Sequence, residues 1–271
     1  MKSLLYPVLL FVILISSCTN QEKSQGESEG IYEDKNLPLL QSTLYHQTAA
    51  EMRALAYQAF NIARIQVDER LEDASGKENL AVILDLDETV LDNSPFEAKL
   101  ILENASYPRY WAEWIMQEDA KAIPGALGFL NYADKNGIEL FYVSNRHDSL
   151  RKHTITNLKK LGFPQANDDH LLLKTTTSGK EKRREKVAAN HNIILLLGDN
   201  LNDFSEAFEA GSVDERYAAT DSLRNAFGKR FIVLPNAMYG EWEGAAIDYN
   251  YGASKKEKLN RKLERLRSFK E

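Results

Sequence analysis

Cysteine is almost missing: the 271 residues hold one, Cys18. That excludes an intrachain disulfide and a cysteine zinc cluster. The five histidines, His46, His147, His153, His170 and His191, show no HExxH spacing or other paired-ligand pattern, so a histidine metal site is not expected. Basic charge is not in surplus either. Lys and Arg number 34 against 40 Asp and Glu, a net charge of −6, and no dense basic block occurs. Such a chain is a poor nucleic-acid binder. No apolar run reaches the roughly 20 residues that a membrane-spanning helix needs, and no internal repeat is visible. What is present is a hydrophobic fraction of 43% and an aromatic fraction of 10%, enough for a core. The length suits one large domain, or one domain with an insertion.

The N-terminus reads as an address. Lys2 supplies a short positive region, and Leu4 to Ile15 is apolar apart from Tyr6 and Pro7. That is the length of a signal-peptide core. It runs into Ile15-Ser16-Ser17-Cys18, which resembles a bacterial lipobox, with the only cysteine at the residue that takes the lipid. The expected organisation is a lipoprotein signal peptide over 1–17, a flexible tether over 18–37, and a folded domain over 38–271. The tether is rich in Ser, Gly, Glu, Gln and Lys, and has little apolar area to bury.

Leu39 to Leu71 carries a helical period, with Ala49, Met52, Leu55, Ala56, Ala59 and Phe60 and no internal Gly or Pro. Short apolar runs follow at 81–84, 138–143, 171–173, 193–197 and 231–234. Each suits a strand buried on both faces of a parallel sheet. Helical patterns lie between them, near 124–137, 149–161, 179–190 and 203–210. The alternation predicts an α/β fold, a doubly wound parallel sheet. Residues 95–122, rich in Tyr and Trp, read as part of a small, mainly helical cap, together with about 38–78 and the C-terminal tail. That tail, 254–271, is basic, and Leu259, Leu263, Leu266 and Phe269 form one helical stripe, which is expected to pack the tail onto the domain.

In an open parallel sheet, chemistry gathers at the carboxyl ends of the strands. The first strand ends in Asp85-Leu86-Asp87-Glu88-Thr89, another in Ser144-Asn145-Arg146, and a third in Gly198-Asp199-Asn200-Leu201-Asn202-Asp203. Ser178-Gly179-Lys180 opens a helix between the last two. Asp85 and Asp87 are two apart and can reach one pocket. Carboxylates so close repel and invite a cation. With Asp199 they form a hard oxygen set that suits Mg²⁺ better than zinc. A hydroxyl, an amide and a lysine complete a set able to handle a phosphoryl group. Each motif alone is weak; their order and placement together are not.

Those four sets resemble the haloacid dehalogenase (HAD) superfamily. The longer runs 84–94, 141–146, 198–204 and 234–240, with His46-Gln47-Thr48-Ala49-Ala50-Glu51, resemble its class C bacterial acid phosphatases, the lipoprotein e family of outer-membrane 5′-nucleotidases. The resemblance spans about 38–245 and implies a HAD-like fold. It also implies a lipid-anchored, Mg²⁺-dependent phosphomonoesterase of the cell envelope, at the outer membrane, acting on nucleotides and suggested to be a homodimer.

By resemblance, Asp85 is the nucleophile, and Asp87 is the general acid and base whose carbonyl touches the metal. Asp199 joins Asp85 on Mg²⁺, and Asp203 supports the metal shell. Ser144, Asn145 and Lys180 bind the phosphoryl oxygens. Lys174 is a second candidate for the lysine, and Lys180 is preferred because it opens a helix. Tyr107, Tyr110, Trp111, Trp114, Tyr239 and Trp242 divide between core packing and a base-stacking slot. Trp111 and Tyr239 are the resemblance's choice for the slot. The rival readings are a HAD sugar phosphatase or phosphotransferase, and a non-catalytic ligand-binding surface lipoprotein.

Overall fold

Strand β1 (Leu80–Leu84) has no exposed residue, and its side chains alternate between two cores. Leu80, Val82 and Leu84 pack on one side, and Ala81 and Ile83 on the other. This is the pattern of a central strand covered on both faces. The computed structural model describes residues 37–73, 78–209 and 211–269. All of them fall in one unit, Asn36–Glu271. The expected signal peptide, Cys18 and nearly all of the expected tether lie outside the described residues.

Helices α1 (Leu37–Thr48) and α2 (Ala50–Glu72) precede β1. After it come β2 (Leu91–Asp92), α3 (Ser94–Leu102), α4 (Trp111–Gln117), β3 (Lys121–Ala122), α5 (Ala126–Lys135) and β4 (Glu139–His147). Then follow α6 (Arg151–Lys160), β5 (Leu171–Lys174), α7 (Glu181–Ala188) and β6 (Asn192–Gly198). The last elements are α8 (Val213–Ser222), β7 (Phe231–Val233), α9 (Glu241–Ala246) and α10 (Lys255–Glu264). The main sheet has five parallel strands in the order β5-β4-β1-β6-β7. This is the parallel α/β sheet expected, and each of the five apolar runs contributes a strand. The chain winds outward from β1 to β4 and β5, then returns to place β6 on the other side of β1. The carboxyl end of β1 is thus the switch point, where ligands of open α/β sheets bind.

Two cores sandwich the sheet. On one face Met52, Ala56 and Phe60 of α2 and Phe129 and Leu130 of α5 cover Val82, Leu140 and Leu197. On the other Val187, Phe204, Phe208 and Phe231 cover Ile83, Val143 and Leu196. Residues 93–120 leave the sheet as an excursion holding α3 and α4. The antiparallel pair β2 and β3 closes its base, with Leu91 opposite Ala122. Glu118, at the end of α4, takes both His153 Nδ1 at 2.8 Å and Lys160 Nζ at 2.7 Å from α6.

Three local expectations differ from what is found. The helical stretch 39–71 is broken at Ala49, which is extended at φ −76° and ψ 126°. Helix α1 packs on α3 while α2 packs on α5 and the sheet, and one straight helix cannot serve both. The helix expected over 203–210 is instead two 3₁₀ turns, Leu201–Asp203 and Glu206–Phe208. Asn200 and Ser205 each accept a backbone N–H two residues on, so the chain restarts at each. Ala210 lies outside the described residues.

The apolar stripe of the tail does not pack. Leu259, Leu263, Leu266 and Phe269 are between 43% and 87% exposed. Helix α10 is held by its basic face, with Arg261 Nη1 2.6 Å from Asp248 and Lys262 paired to Glu243.

Candidate active site

Asp85 follows β1 directly, and its N–H donates to Leu197 O of β6 at 3.0 Å. Gly198 closes β6, and Asp199 stands beside it at the same sheet edge. On the other side of β1, strand β4 runs on through His147, so Ser144, Asn145 and Arg146 are its last turns of pleat rather than a loop after it. Lys180 is the N-cap of α7. The topology therefore brings together all four motif sets.

The ammonium of Lys180 is the hub. It bonds Asp85 Oδ1 and lies 2.6 Å from Asp203 Oδ1. All three groups are buried. Asp203 reaches this position because residue 198 is glycine: a Cβ there would meet Asp203 Oδ2 at 2.4 Å. Asp203 Oδ2 also accepts the N–H of Asn200 at 3.1 Å. Asp199 is held by Asn236 Nδ2 at 2.8 Å and Thr89 Oγ1 at 3.3 Å. Lys174, the alternative lysine, stands at the end of the edge strand opposite His147.

Asp85, Asp199 and Asp203 each offer a carboxylate oxygen, and these oxygens lie within 4.8 Å of one another. Burial pushes Asp85 up to about 7 against the pull of Lys180, with Asp203 and Asp87 adding repulsion. Burial also raises Asp199 well above the usual carboxylate range, helped by Asp203 and Asp85. The same carboxylates hold Lys180 above its ordinary value despite its burial. Three carboxylates, those of Asp85 and Asp203 buried and that of Asp199 half-buried, face one ammonium. A hard divalent cation on oxygen ligands fits that donor set.

Asp87 has a different partner. Arg146 Nε donates to its Oδ1 at 2.9 Å and Nη2 lies 2.7 Å from the same oxygen. Asn93 Nδ2 also donates to Oδ1 at 2.9 Å. Ser144 Oγ is 3.4 Å from Oδ2. Ser144 is fully buried, while Asn145 is exposed and accepts from Arg183 Nη2 at 2.7 Å.

Sequence reasoning missed Arg146, Asn93, Glu88, Arg183 and Arg184. The run Glu181-Lys182-Arg183-Arg184-Glu185-Lys186 looks like a solvated helix face. In fact Arg183 Nη1 donates to Ser144 O at 2.6 Å, and the buried Arg184 Nη1 to Asp203 O at 2.9 Å. Helix α7 so braces the end of β4 and the loop after β6 besides delivering Lys180. The signal available was the spacing, since residues 180, 183 and 184 share a helix face.

Glu88 is fully buried at φ 59°, and accepts the N–H of Asn93 at 2.7 Å and the hydroxyl of Tyr239. Burial raises it well above its usual value, with Asp87 and Asp199 adding repulsion. Tyr239 is thereby tied to the loop that carries Asp87. Trp111 is half-buried, its ring 4.9 Å from Phe96 and 5.7 Å from the Arg146 guanidinium. Tyr107 is largely exposed at 6.1 Å from Trp111, and Trp114 donates to Asn93 Oδ1 at 2.8 Å.

The family model of HAD superfamily, subfamily IIIB (acid phosphatase) matches residues 17–242. The class C acid phosphatase from Bacillus anthracis is 44% identical, with a TM-score of 0.82 over 86% of this chain and 98% of that one. The same enzyme solved with tungstate bound matches equally well. The two comparisons agree, and the parallel sheet fits them: the chain belongs to the subfamily IIIB acid phosphatases of the HAD superfamily and is a phosphomonoesterase.

Proposed function

We propose that this phosphatase is a Mg²⁺-dependent enzyme acting on 5′-nucleotides and related monoesters from a lipid anchor at Cys18, in the cell envelope at the outer membrane. The observation that carries the catalytic reading is the buried Lys180 ammonium joining Asp85 to Asp203, with Asp199 beside them. Tungstate in the Bacillus anthracis enzyme is a tetrahedral oxyanion, which supports a phosphoryl pocket here.

Asp85 attacks phosphorus, the bond to the ester oxygen breaks, and Asp87 gives its proton to the departing oxygen. An aspartyl-phosphate results. Water then attacks phosphorus, Asp87 takes the water's proton, and phosphate leaves with Asp85 restored. A carboxylate nucleophile so divides one difficult displacement into two. Lys180, Ser144 and Asn145 meet the phosphoryl oxygens. Asp85, Asp199 and Asp203 would hold the cation, with the Asp87 carbonyl as a further ligand. When bound there, it would supply charge neutralisation for those oxygens.

Half-buried Trp111 and Tyr239 offer aromatic faces beyond the phosphate pocket and support a base-stacking role. Release of phosphate from AMP and from a sugar phosphate, each with and without EDTA and with Mg²⁺ restored, tests the reading. Loss in EDTA, rescue by Mg²⁺ and a clear preference for AMP are expected. Full activity in EDTA defeats the metal assignment, and a preference for the sugar phosphate defeats the nucleotide assignment.

A further inference from the structure

We propose that Arg146 is a positioning residue for the general acid, fixing which oxygen of Asp87 carries the proton; this rests on the role given to Asp87 above. Two N–H donors, Arg146 Nε and Asn93 Nδ2, converge on Asp87 Oδ1 at 2.9 Å, and Arg146 Nη2 pairs with the same oxygen at 2.7 Å. A carboxyl oxygen so occupied has no room for a proton of its own. The proton must ride on Oδ2, the oxygen turned toward Ser144.

The device is itself held from behind. The Oδ1 of Asn93 accepts Trp114 Nε1 at 2.8 Å and Arg146 Nη2 at 3.3 Å, which fixes the amide with Nδ2 aimed at Asp87. Arg146 Nη1 reaches Thr154 Oγ1 at 3.4 Å, and the Trp111 ring covers the guanidinium. The side chain is 99% buried. A buried arginine serving packing alone is costly. This one directs its fork at a carboxylate of the reaction and leaves that carboxylate one free oxygen.

A proton donor matters in proportion to how badly the leaving group needs the proton. An alkoxide such as that of glycerol phosphate needs it; p-nitrophenolate departs without it. The comparison is therefore kcat/KM for the two esters, measured on the metal-loaded mature protein, in Asp87→Asn, Arg146→Met, Arg146→Lys and Trp114→Phe. In Asp87→Asn the alkyl ester should fall far more than the aryl ester. General-acid loss is typically worth about 10²–10⁴.

Arg146→Met should show the same selective loss, by roughly tenfold or more in the ratio of the two esters. Arg146→Lys should recover part of it. Trp114→Phe, which keeps an aromatic side chain but loses the indole N–H, should shift the ratio in the same sense by less. An equal fall of both esters in Arg146→Met, or an unchanged ratio in Trp114→Phe should the Arg146 variants not fold, overturns the inference alone. An Asp87→Asn enzyme that treats both esters alike overturns the role of Asp87, and this inference with it.

Discussion

Glu97 offers a sharp test of the packing of α3, because it is a buried acid that no step of the proposed reaction uses. It is 6% exposed, and its pKa is raised from 4.5 to about 7, first by burial and then by Glu243. The folded state therefore holds this proton more tightly than the unfolded chain does. The associated stability is complete below about pH 4.5 and is lost as pH rises to about 7. Above that it stays lost. The gap between 4.5 and about 7 corresponds to about 3 kcal/mol at roughly 1.4 kcal/mol per decade.

Glu97→Gln removes the ionisation and keeps the shape. The variant should match the wild type near pH 4.5 and exceed it by about 3 kcal/mol at pH 8, a rise in Tm of roughly 5–10 °C. Urea unfolding across pH 4–8 on both proteins measures the difference directly. Parallel stability curves would refute the reasoning, for they would mean that Glu97 is solvated in the folded protein.

Asp85→Asn should reduce turnover to background with the fold intact by circular dichroism; substantial residual activity sinks the aspartyl-phosphate mechanism. Gly198→Ala should destabilise by about 1–3 kcal/mol through overpacking, and lower activity as Asp203 is driven off Lys180; an unchanged Tm and rate would contradict the 2.4 Å approach. Trp111→Ala should lower kcat/KM for AMP by roughly tenfold or more while barely touching glycerol phosphate. An equal fall in both would assign Trp111 to packing on Phe96 and Arg146. Cys18→Ser should abolish incorporation of labelled fatty acid and release the protein from membranes; retained label defeats the lipobox.

The sheet was legible because a strand buried on both faces must be written in apolar residues, and 81–84 and 193–197 allow little else. The motif residues were legible because Asp85 and Asp199 sit where a strand yields to polar text, Ser144 and Asn145 in the polar end of β4, and Lys180 at the head of a helix. Their supports were not. Arg146 reads as the third residue of a short motif, and Arg183 and Arg184 as part of a charged helix face. Only the folded chain shows that two of the three are buried, since a buried arginine is recognisable by its partners, and these include Asp87, 59 residues from Arg146, and Asn202, 18 from Arg184. The tail misled for the opposite reason. Its leucine stripe promised packing, but the helix turns its ion-pairing face to Asp248 and Glu243 and leaves the stripe exposed.

Asp85 and Asp87 are the same side chain two residues apart, yet the proposed mechanism gives them opposite tasks. Their cations account for the division. Lys180 is a compact charge that bonds Asp85 through Oδ1 and is shared with Asp203. An ammonium shared in this way steadies a nucleophile without covering it. Arg146 is a planar fork, fixed by burial, whose donors crowd one oxygen of Asp87 and leave the other for a proton. Exchanging the two cations would reverse what each does well. A fork on Asp85 would cap the attacking oxygens, and a mobile ammonium on Asp87 would leave its proton free to sit on either one. The residue types at 146 and 180 therefore follow from the chemistry of the carboxylates they face.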